Sequence, residues 1–116
     1  MNVELVLSFS AQQDLLARRE SALLDIGYQV FSTISEARAR YEIEMGQCGV
    51  LLLCYTVHQN AHRDLAESFR RNCQGGIIAF VMHPSLRQRS PYAQLSFLDA
   101  DFAKQIHLLK VTRPAA

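Results

Sequence analysis

The sequence lacks most of the features that mark secreted and membrane proteins. Its three cysteines are odd in number and have no Cys-x-x-Cys spacing, which argues against a disulfide framework and for a reducing compartment. The first residues carry no basic segment ahead of an apolar one, so no signal peptide is expected. The longest apolar run, residues 50–55, is far shorter than the roughly 20 residues that a membrane-spanning helix requires. We therefore expect a cytoplasmic protein.

An excess of charge is also missing. The formal net charge is +1, which gives no overall electrostatic basis for binding nucleic acid or an anionic membrane. There are no internal repeats and no low-complexity tracts. A chain of 116 residues, of which 49% are hydrophobic, fits one globular domain with its own core. We expect that domain over residues 1–111, followed by a short C-terminal tail over residues 112–116.

Short apolar runs alternate with segments of helical periodicity. The runs predict strands over residues 3–9, 28–34, 49–57, 77–82 and 95–98. The most apolar of them, residues 49–57, is typical of a central strand that is covered on both faces. Helical spacing predicts helices between the first four strands and after the last one. Residues 84–91, before the last strand, are polar and bounded by two prolines, so we expect no regular helix there.

Capping residues and apolar stripes define the predicted helices further. The expected caps are Ser10 with Gln13 (a capping box), Ser35, Asn60 and Asp101 at N-termini, and Gly27 and Gly46 at C-termini. The expected apolar stripes are Leu15, Leu16, Ala22, Leu23 and Ile26 in the first helix, Ala37, Tyr41 and Met45 in the second, Ala61, Leu65, Ala66 and Phe69 in the third, and Phe102, Ile106 and Leu109 in the last.

This alternation predicts an α/β fold with one parallel sheet between two layers of helices, because parallel strands are joined by right-handed crossovers that cover both faces. Five β/α units in a chain of this length indicate a flavodoxin-like domain with strand order 2-1-3-4-5. The connection between the fourth and fifth strands is then the one irregular crossover.

Three segments resemble the receiver domains of response regulators, the CheY-like family. Residues 23–30 are similar to the end of the first receiver helix and the second strand, residues 49–54 to the third strand, and residues 76–81 to the fourth. The resemblance runs over nearly the whole chain and rests on apolar residues and glycine. It implies the receiver fold and a role in signal transduction by a two-component system.

The resemblance also implies a phosphorylation site, but the residues that it requires are missing. Receivers hold Mg²⁺ and the phosphoryl group with two acids after the first strand, an aspartate after the third, a Thr or Ser after the fourth and a lysine after the fifth. The corresponding positions here are Ser10 and Ala11, Cys54 (or Tyr55), Val81 (or Met82), and Asp99. Mg²⁺ prefers carboxylate oxygens, which Ser10, Ala11 and Cys54 do not offer. We therefore predict a degenerate receiver, which is not phosphorylated by the receiver mechanism.

Our leading hypothesis is a regulatory module that acts through protein contacts, as a homodimer, without enzymatic activity or a cofactor. The expected contact regions are the edge strands and the face formed by residues 84–91. That segment contains Arg87 and Arg89, followed by Tyr92, which we interpret as a solvated loop with no direct nucleic-acid partner. No nucleophile with a base and an orienting group can be assembled, so an enzyme is the least favoured class.

The alternative hypothesis is a small-ligand or metal sensor in the crevice at the strand ends. Cys54, His58, His62 and His83 follow or end two neighbouring strands and combine a thiolate with imidazoles, a plausible zinc set. Ser8 and Ser10 lie near a helix N-terminus, where an anion could bind. Cys54 could also be a redox or nucleophilic thiol with His58 or His83 as base. We favour the interpretation that Cys54 is a small buried packing residue.

Overall fold

The fold was examined in a computed structural model, which describes residues 2–112 and their side chains as far as Val111. Five parallel strands form one sheet in the order β2-β1-β3-β4-β5, which confirms the predicted topology. The strands are β1 (Asn2–Phe9), β2 (Gln29–Thr33), β3 (Cys48–Cys54), β4 (Ile77–Met82) and β5 (Leu95–Leu98). All seven residues of β3 are buried, as expected for a strand at the centre of a doubly covered sheet.

Helices cover both faces of the sheet. They are α1 (Gln13–Ile26), α2 (Glu36–Glu44), α3 (Gln59–Asn72) and α4 (Phe102–Thr112), with a 3₁₀ turn over Asp99–Asp101 before the last. The apolar side chains of α2 and α3 share one core with Leu51 and Leu53 of β3. Those of α1 and α4 share a second core with Leu52 and Cys54. Successive residues of a strand point to opposite faces, so β3 contributes to both cores in turn.

Two predicted N-terminal caps are wrong, and the C-cap of α2 is Met45 and not the predicted Gly46. Ser10 does not cap α1: the N-cap is Gln12, which makes no side-chain cap bond, and the Ser10 hydroxyl accepts a hydrogen bond from the Gln12 N–H instead. Asn60 lies inside α3, whose N-cap is His58, because the His58 Nδ1 accepts from the Asn60 N–H at 3.2 Å. An imidazole nitrogen thus replaces the hydroxyl or carboxylate oxygen of common N-caps.

The predicted caps Ser35 and Gly27 are confirmed. The Ser35 hydroxyl accepts from the Arg38 N–H at 3.1 Å at the start of α2. Gly27 has a φ of 104° and donates back to the last turn of α1, the left-handed ending that glycine adopts without strain. Asp101, predicted to cap the last helix, ends the 3₁₀ turn immediately before Phe102.

The apolar stripe predicted for α2 faces solvent. Ala37, Tyr41 and Met45 are exposed, whereas Ala39 and Ile43 are buried against the sheet. Both stripes have the same four-residue spacing, so periodicity alone does not choose between them. The observed arrangement leaves the bulky Tyr41 ring outside, where the Arg38 guanidinium lies 5.5 Å from its centre.

Residues 83–94 connect β4 to β5 without a helix, as the polar, proline-bounded segment predicts. The segment is fixed at its end because Ile78 and Gln94 exchange two hydrogen bonds, from the Ile78 N–H to the Gln94 Oε1 and from the Gln94 N–H to the Ile78 carbonyl oxygen. Tyr92 and Ala93 pack against the core of the α2/α3 face.

At the other end of the chain, α4 continues to Thr112, the first residue of the predicted tail, and residues 113–116 lie outside the described part. None of the helices within residues 2–112 combines the length and apolar character that crossing a membrane would require.

Candidate functional site

The residues that the resemblance assigns to a receiver phosphorylation site meet at the carboxyl edge of the sheet. Ser10 follows β1, Cys54 ends β3 and Asp99 follows β5. Val81 of β4 lies directly beside Cys54 in the sheet register and is fully buried. Crevices at this edge are where open parallel sheets bind ligands.

A hydrogen-bonded network of one sulfur and two hydroxyl groups lies at the ends of β1 and β3. The Cys54 Sγ lies 2.8 Å from the Thr56 Oγ1 and 3.5 Å from the Ser10 Oγ. The two hydroxyl oxygens lie 2.9 Å apart, and the exposed Ala11 joins through its N–H, which donates to the Thr56 Oγ1 at 3.1 Å. Thr56 was not anticipated from the sequence, since no motif marks it. The network holds the β1–α1 and β3–α3 loops together.

A buried arginine enters the same edge from α1. Arg19 is 2% exposed, and its Nε donates to the Asp99 Oδ1 at 3.3 Å, while the Arg18 Nη2 donates to the Asp99 Oδ2 at 2.9 Å. Sequence reasoning missed this pair, although a signal existed. Arg19 lies three and four residues from Leu16 and Leu23, so it falls within the apolar stripe of α1, where a cation requires a partner.

Two buried polar atoms beside this network have no hydrogen-bond partner. They are the Ser8 Oγ and the Arg19 Nη2. Ser8 lies two residues after Val6 on β1, so the two side chains share one face of the sheet. Ser8 therefore points into the α1/α4 core, as Cys54 does. Unpaired buried polar groups are costly, which makes such atoms informative about what a site can bind.

The surroundings of the three cysteines shift the pKa of their thiols in different directions. Burial raises the pKa of the Cys48 thiol to about 12 and also raises that of Cys73. Burial acts in the same direction on Cys54, but hydrogen bonding with Ser10, Thr56 and Arg19, together with the positive charge of Arg19, outweighs it and lowers the Cys54 pKa. Cys54 is therefore the most acidic of the three thiols.

The donor set at the strand ends does not fit Mg²⁺. Ser10 and Thr56 offer hydroxyls, Cys54 offers sulfur, and the one carboxylate that we find there among residues 2–111, Asp99, is bound to two arginines. Mg²⁺ requires hard oxygen ligands in an octahedral arrangement, usually including carboxylates.

The histidines proposed as metal ligands make hydrogen bonds to other groups of the protein. The His58 Nδ1 accepts from Asn60, and the His83 Nδ1 accepts from the Ser85 N–H at 2.9 Å. The His62 Nε2 lies 2.8 Å from the Ser90 Oγ, and burial lowers the His62 pKa. Over the described part of the chain, no three His, Cys, Asp or Glu side chains are grouped to hold a metal. The structure thus does not bring Cys54, His58, His62 and His83 together.

A cleft of about 440 Å³ lies between the start of α3 and residues 83–92. We call it the loop cleft. Aromatic side chains line it, and the His62 ring is tilted against Phe80 at 5.0 Å and against Tyr92 at 5.6 Å, measured between ring centres. Two arginines, Arg63 and Arg89, also line it, and its described lining contains no carboxylate. The cleft is on the α2/α3 side of the sheet, opposite the Cys54 network.

Comparison with known proteins finds similar structures but no similar sequences. No protein-family model matches the chain, and no curated protein matches it by sequence. Among solved structures, the response regulator TrrA from Thermotoga maritima, in complex with Mg²⁺ and BeF, is 13% identical, with 97% of this chain and 100% of that one covered at a TM-score of 0.76.

Two further structures extend the comparison. A CheY-like receiver domain from Methylobacillus flagellatus is 11% identical, covering 94% of this chain and 98% of that one, with a TM-score of 0.76. A CheY-like receiver domain from Methanospirillum hungatei is 14% identical, covering 93% and 90%, with a TM-score of 0.72. The chain therefore has the fold of a CheY-like response-regulator receiver domain.

Proposed function

We propose that this chain is a phosphorylation-independent regulatory module, which acts through protein contacts as a homodimer and has no catalytic activity. One observation carries the proposal: Ser10, Cys54 and Thr56 form a hydrogen-bonded network that includes two of the positions to which the resemblance assigns Mg²⁺ binding and phosphate transfer. The scaffold of a signalling domain is thus combined with a site of different chemistry.

Electrostatics supports the absence of phosphorylation. A phosphoryl group is transferred when a metal ion and cations neutralise its charge and a nucleophile is placed in line. Here no carboxylate stands at Ser10, Ala11 or Cys54 to recruit Mg²⁺ or to accept the phosphoryl group. Asp99 is held by Arg18 and Arg19 and is not free to do so.

The first test is intact mass spectrometry after incubation with acetyl phosphate and Mg²⁺. We expect no mass gain under conditions in which a receiver with an intact acidic site gains one phosphoryl group. A stoichiometric gain of one phosphoryl group on this chain would refute the proposal, and peptide mapping would then identify the acceptor.

The loop between β4 and β5 supports the proposed protein contact. Leu86 in this loop is 73% exposed, the highest value among the exposed large hydrophobic residues of the described chain. The loop is held by hydrogen bonds to His83 from the N–H groups of Ser85 and Arg87, and Arg87 has a left-handed φ of 51°. An apolar side chain on a fixed loop loses little conformational entropy on binding, which favours its use as an anchor.

Sedimentation velocity over a range of concentrations tests the homodimer. We expect a concentration-dependent dimer that Leu86→Glu shifts to the monomer. Val111→Glu is the matched control, because Val111 is also exposed but lies on α4, and it should leave the dimer intact. A monomer at every concentration, or equal effects of the two variants, would count against a dimer through this loop.

A small-ligand sensor is the second candidate function, and the loop cleft favours it. Its volume lies in the range of small-molecule sites, and its aromatic side chains, arginines and lack of carboxylates suit a planar anionic compound. Native mass spectrometry of protein purified without chelator separates the two functions. A dimer without adduct supports the interaction module, whereas a fixed mass excess would place the sensor first.

A further inference from the structure

The surroundings of Cys54 are those of a stabilised thiolate. Its sulfur contacts the Thr56 hydroxyl at 2.8 Å and the Ser10 hydroxyl at 3.5 Å, and the Arg19 guanidinium lies beside it. A hydroxyl that donates to the sulfur, as Thr56 can, and a nearby positive charge stabilise the anionic form of a thiol, which is its nucleophilic form. Neither His58 nor His83 is needed as a base, because a thiol whose anion is stabilised in this way releases its proton to water.

A second observation, independent of the sulfur, points to an added oxygen. The Ser8 Oγ and the Arg19 Nη2 are donors without an acceptor, on side chains that are 1% and 2% exposed. Both belong to the side of the sheet into which Cys54 points. An oxygen atom bonded to the Cys54 sulfur would add an acceptor on the same side of the sheet as these donors.

We propose that Cys54 is an oxidation site, converted by a hydroperoxide to the sulfenic acid. The thiolate sulfur attacks the terminal peroxide oxygen, so that an S–O bond forms while the O–O bond breaks. The leaving oxygen takes up a proton and departs as water or an alcohol. The sulfur is oxidised by two electrons and the peroxide is reduced by two. Oxidation of Cys54 adds an input signal to the proposed regulatory function. The two proposals are tested by different experiments, so one can fail without the other.

Burial of Cys54 limits how fast peroxide can reach and oxidise its sulfur. The sulfur is fully buried, but its cover at the strand ends is thin, since Ala11 is exposed and Thr56 is half-buried. Peroxide therefore reaches the sulfur when the β1–α1 and β3–α3 loops open, and the reaction is slower than at an exposed thiolate. Cys48 and Cys73 pack in the other core, so the sulfenic acid has no neighbouring thiol in this chain and its reduction requires an external thiol.

Oxidation is measured by treating the reduced, folded protein with hydrogen peroxide in the presence of dimedone, which captures sulfenic acids, and by quantifying each cysteine peptide. We expect adducts on Cys54 and at least about tenfold less on Cys48 and Cys73, whose raised pKa leaves little thiolate. Cys48 and Cys73 are also buried, so they serve as internal reporters of unfolding.

Thr56→Val and Thr56→Ser form a matched pair, because Thr56 is only half-buried and both variants should fold. Thr56→Val should slow Cys54 oxidation by about tenfold, the factor that corresponds to the loss of one hydrogen bond to a charged group. Thr56→Ser keeps the hydroxyl and should retain the rate within about threefold. Equal rates for the two variants, labelling of all three cysteines alike, or no label on Cys54 in the folded protein would overturn the proposal.

Discussion

Arg19 and Asp99 form an ion pair at the strand ends, in which the arginine is buried and the carboxylate is partly exposed. The resemblance to receivers assigns Asp99 to the position of a lysine, and the structure shows that the cation comes from α1 instead. The two residues are 80 positions apart in the sequence, so no local motif predicts their contact. What could be read from the sequence was that Arg19 interrupts an apolar stripe.

Replacing Asp99 by asparagine tests the pair. The change leaves the Arg19 guanidinium buried without its counter-charge, so we expect the free energy of unfolding to fall by about 3 kcal/mol, the low end for a broken buried pair because Asp99 itself is 29% exposed. Arg18→Ala is the matched control: Arg18 is 64% exposed, and its loss should cost less than about 1 kcal/mol. Urea denaturation measures both. Equal losses would show that the buried pair contributes no more than a surface pair.

His62 gives the fold a pH dependence with a definite sign. Burial lowers its pKa below the ordinary value of 6.5, so between the lowered value and 6.5 the unfolded chain binds more protons than the folded one. The free energy of unfolding should therefore fall as the pH drops through 6.5, and stop falling from this cause below the folded pKa. In His62→Gln this component is lost, and denaturation at several pH values should give a shallower slope than the wild type. Identical slopes would contradict the assignment.

At the scale of helices and strands, periodicity predicted correctly which segments form helices and strands. It was less successful in predicting which residues of those segments face the core. The strands were found because apolar runs of four to eight residues between polar segments are distinctive. The inner face of α2 was missed because Ala39 and Ile43 repeat at the same spacing as Ala37 and Tyr41. The cap of α3 was missed because histidine is an uncommon N-cap and Asn60 is a common one.

The contact between β1 and β3 depends on Gly49. A Cβ at this position would lie 2.4 Å from the Val3 Cα and 2.6 Å from the Asn2 carbonyl oxygen, and both are backbone atoms of the neighbouring strand. Gly49→Ala should therefore force the strands apart and cost about 3 kcal/mol. Gly75→Ala is the control, because Gly75 has open space around its Cβ position but a φ of 84°, which should cost about 1 kcal/mol. The order of the two losses, measured by thermal or urea unfolding, checks the steric account.

At the scale of the whole molecule, the order of the strands could be predicted because five β/α units in a chain of this length indicate a flavodoxin-like domain. The missing helix before β5 could be predicted because residues 84–91 are polar and bounded by prolines. The chemistry at the strand ends could not, since it depends on contacts between α1, two loops and the end of β5 that only the fold brings together. Ser10 and Cys54 were placed correctly at the edge of the sheet by alternation of elements. Thr56 and Arg19, which define their environment, became visible only in three dimensions.

The central claim is that the edge of the sheet does not bind Mg²⁺ and phosphoryl groups. The most direct measurement is a ¹⁵N–¹H NMR titration of the native protein with Mg²⁺ and beryllofluoride, the combination bound in the TrrA structure. We predict that the amide signals of Ala11, Cys54, Thr56 and Asp99 stay in place, because no carboxylate is available to hold the ion. Saturable shifts of these signals would contradict the account and show that the site works as a receiver after all.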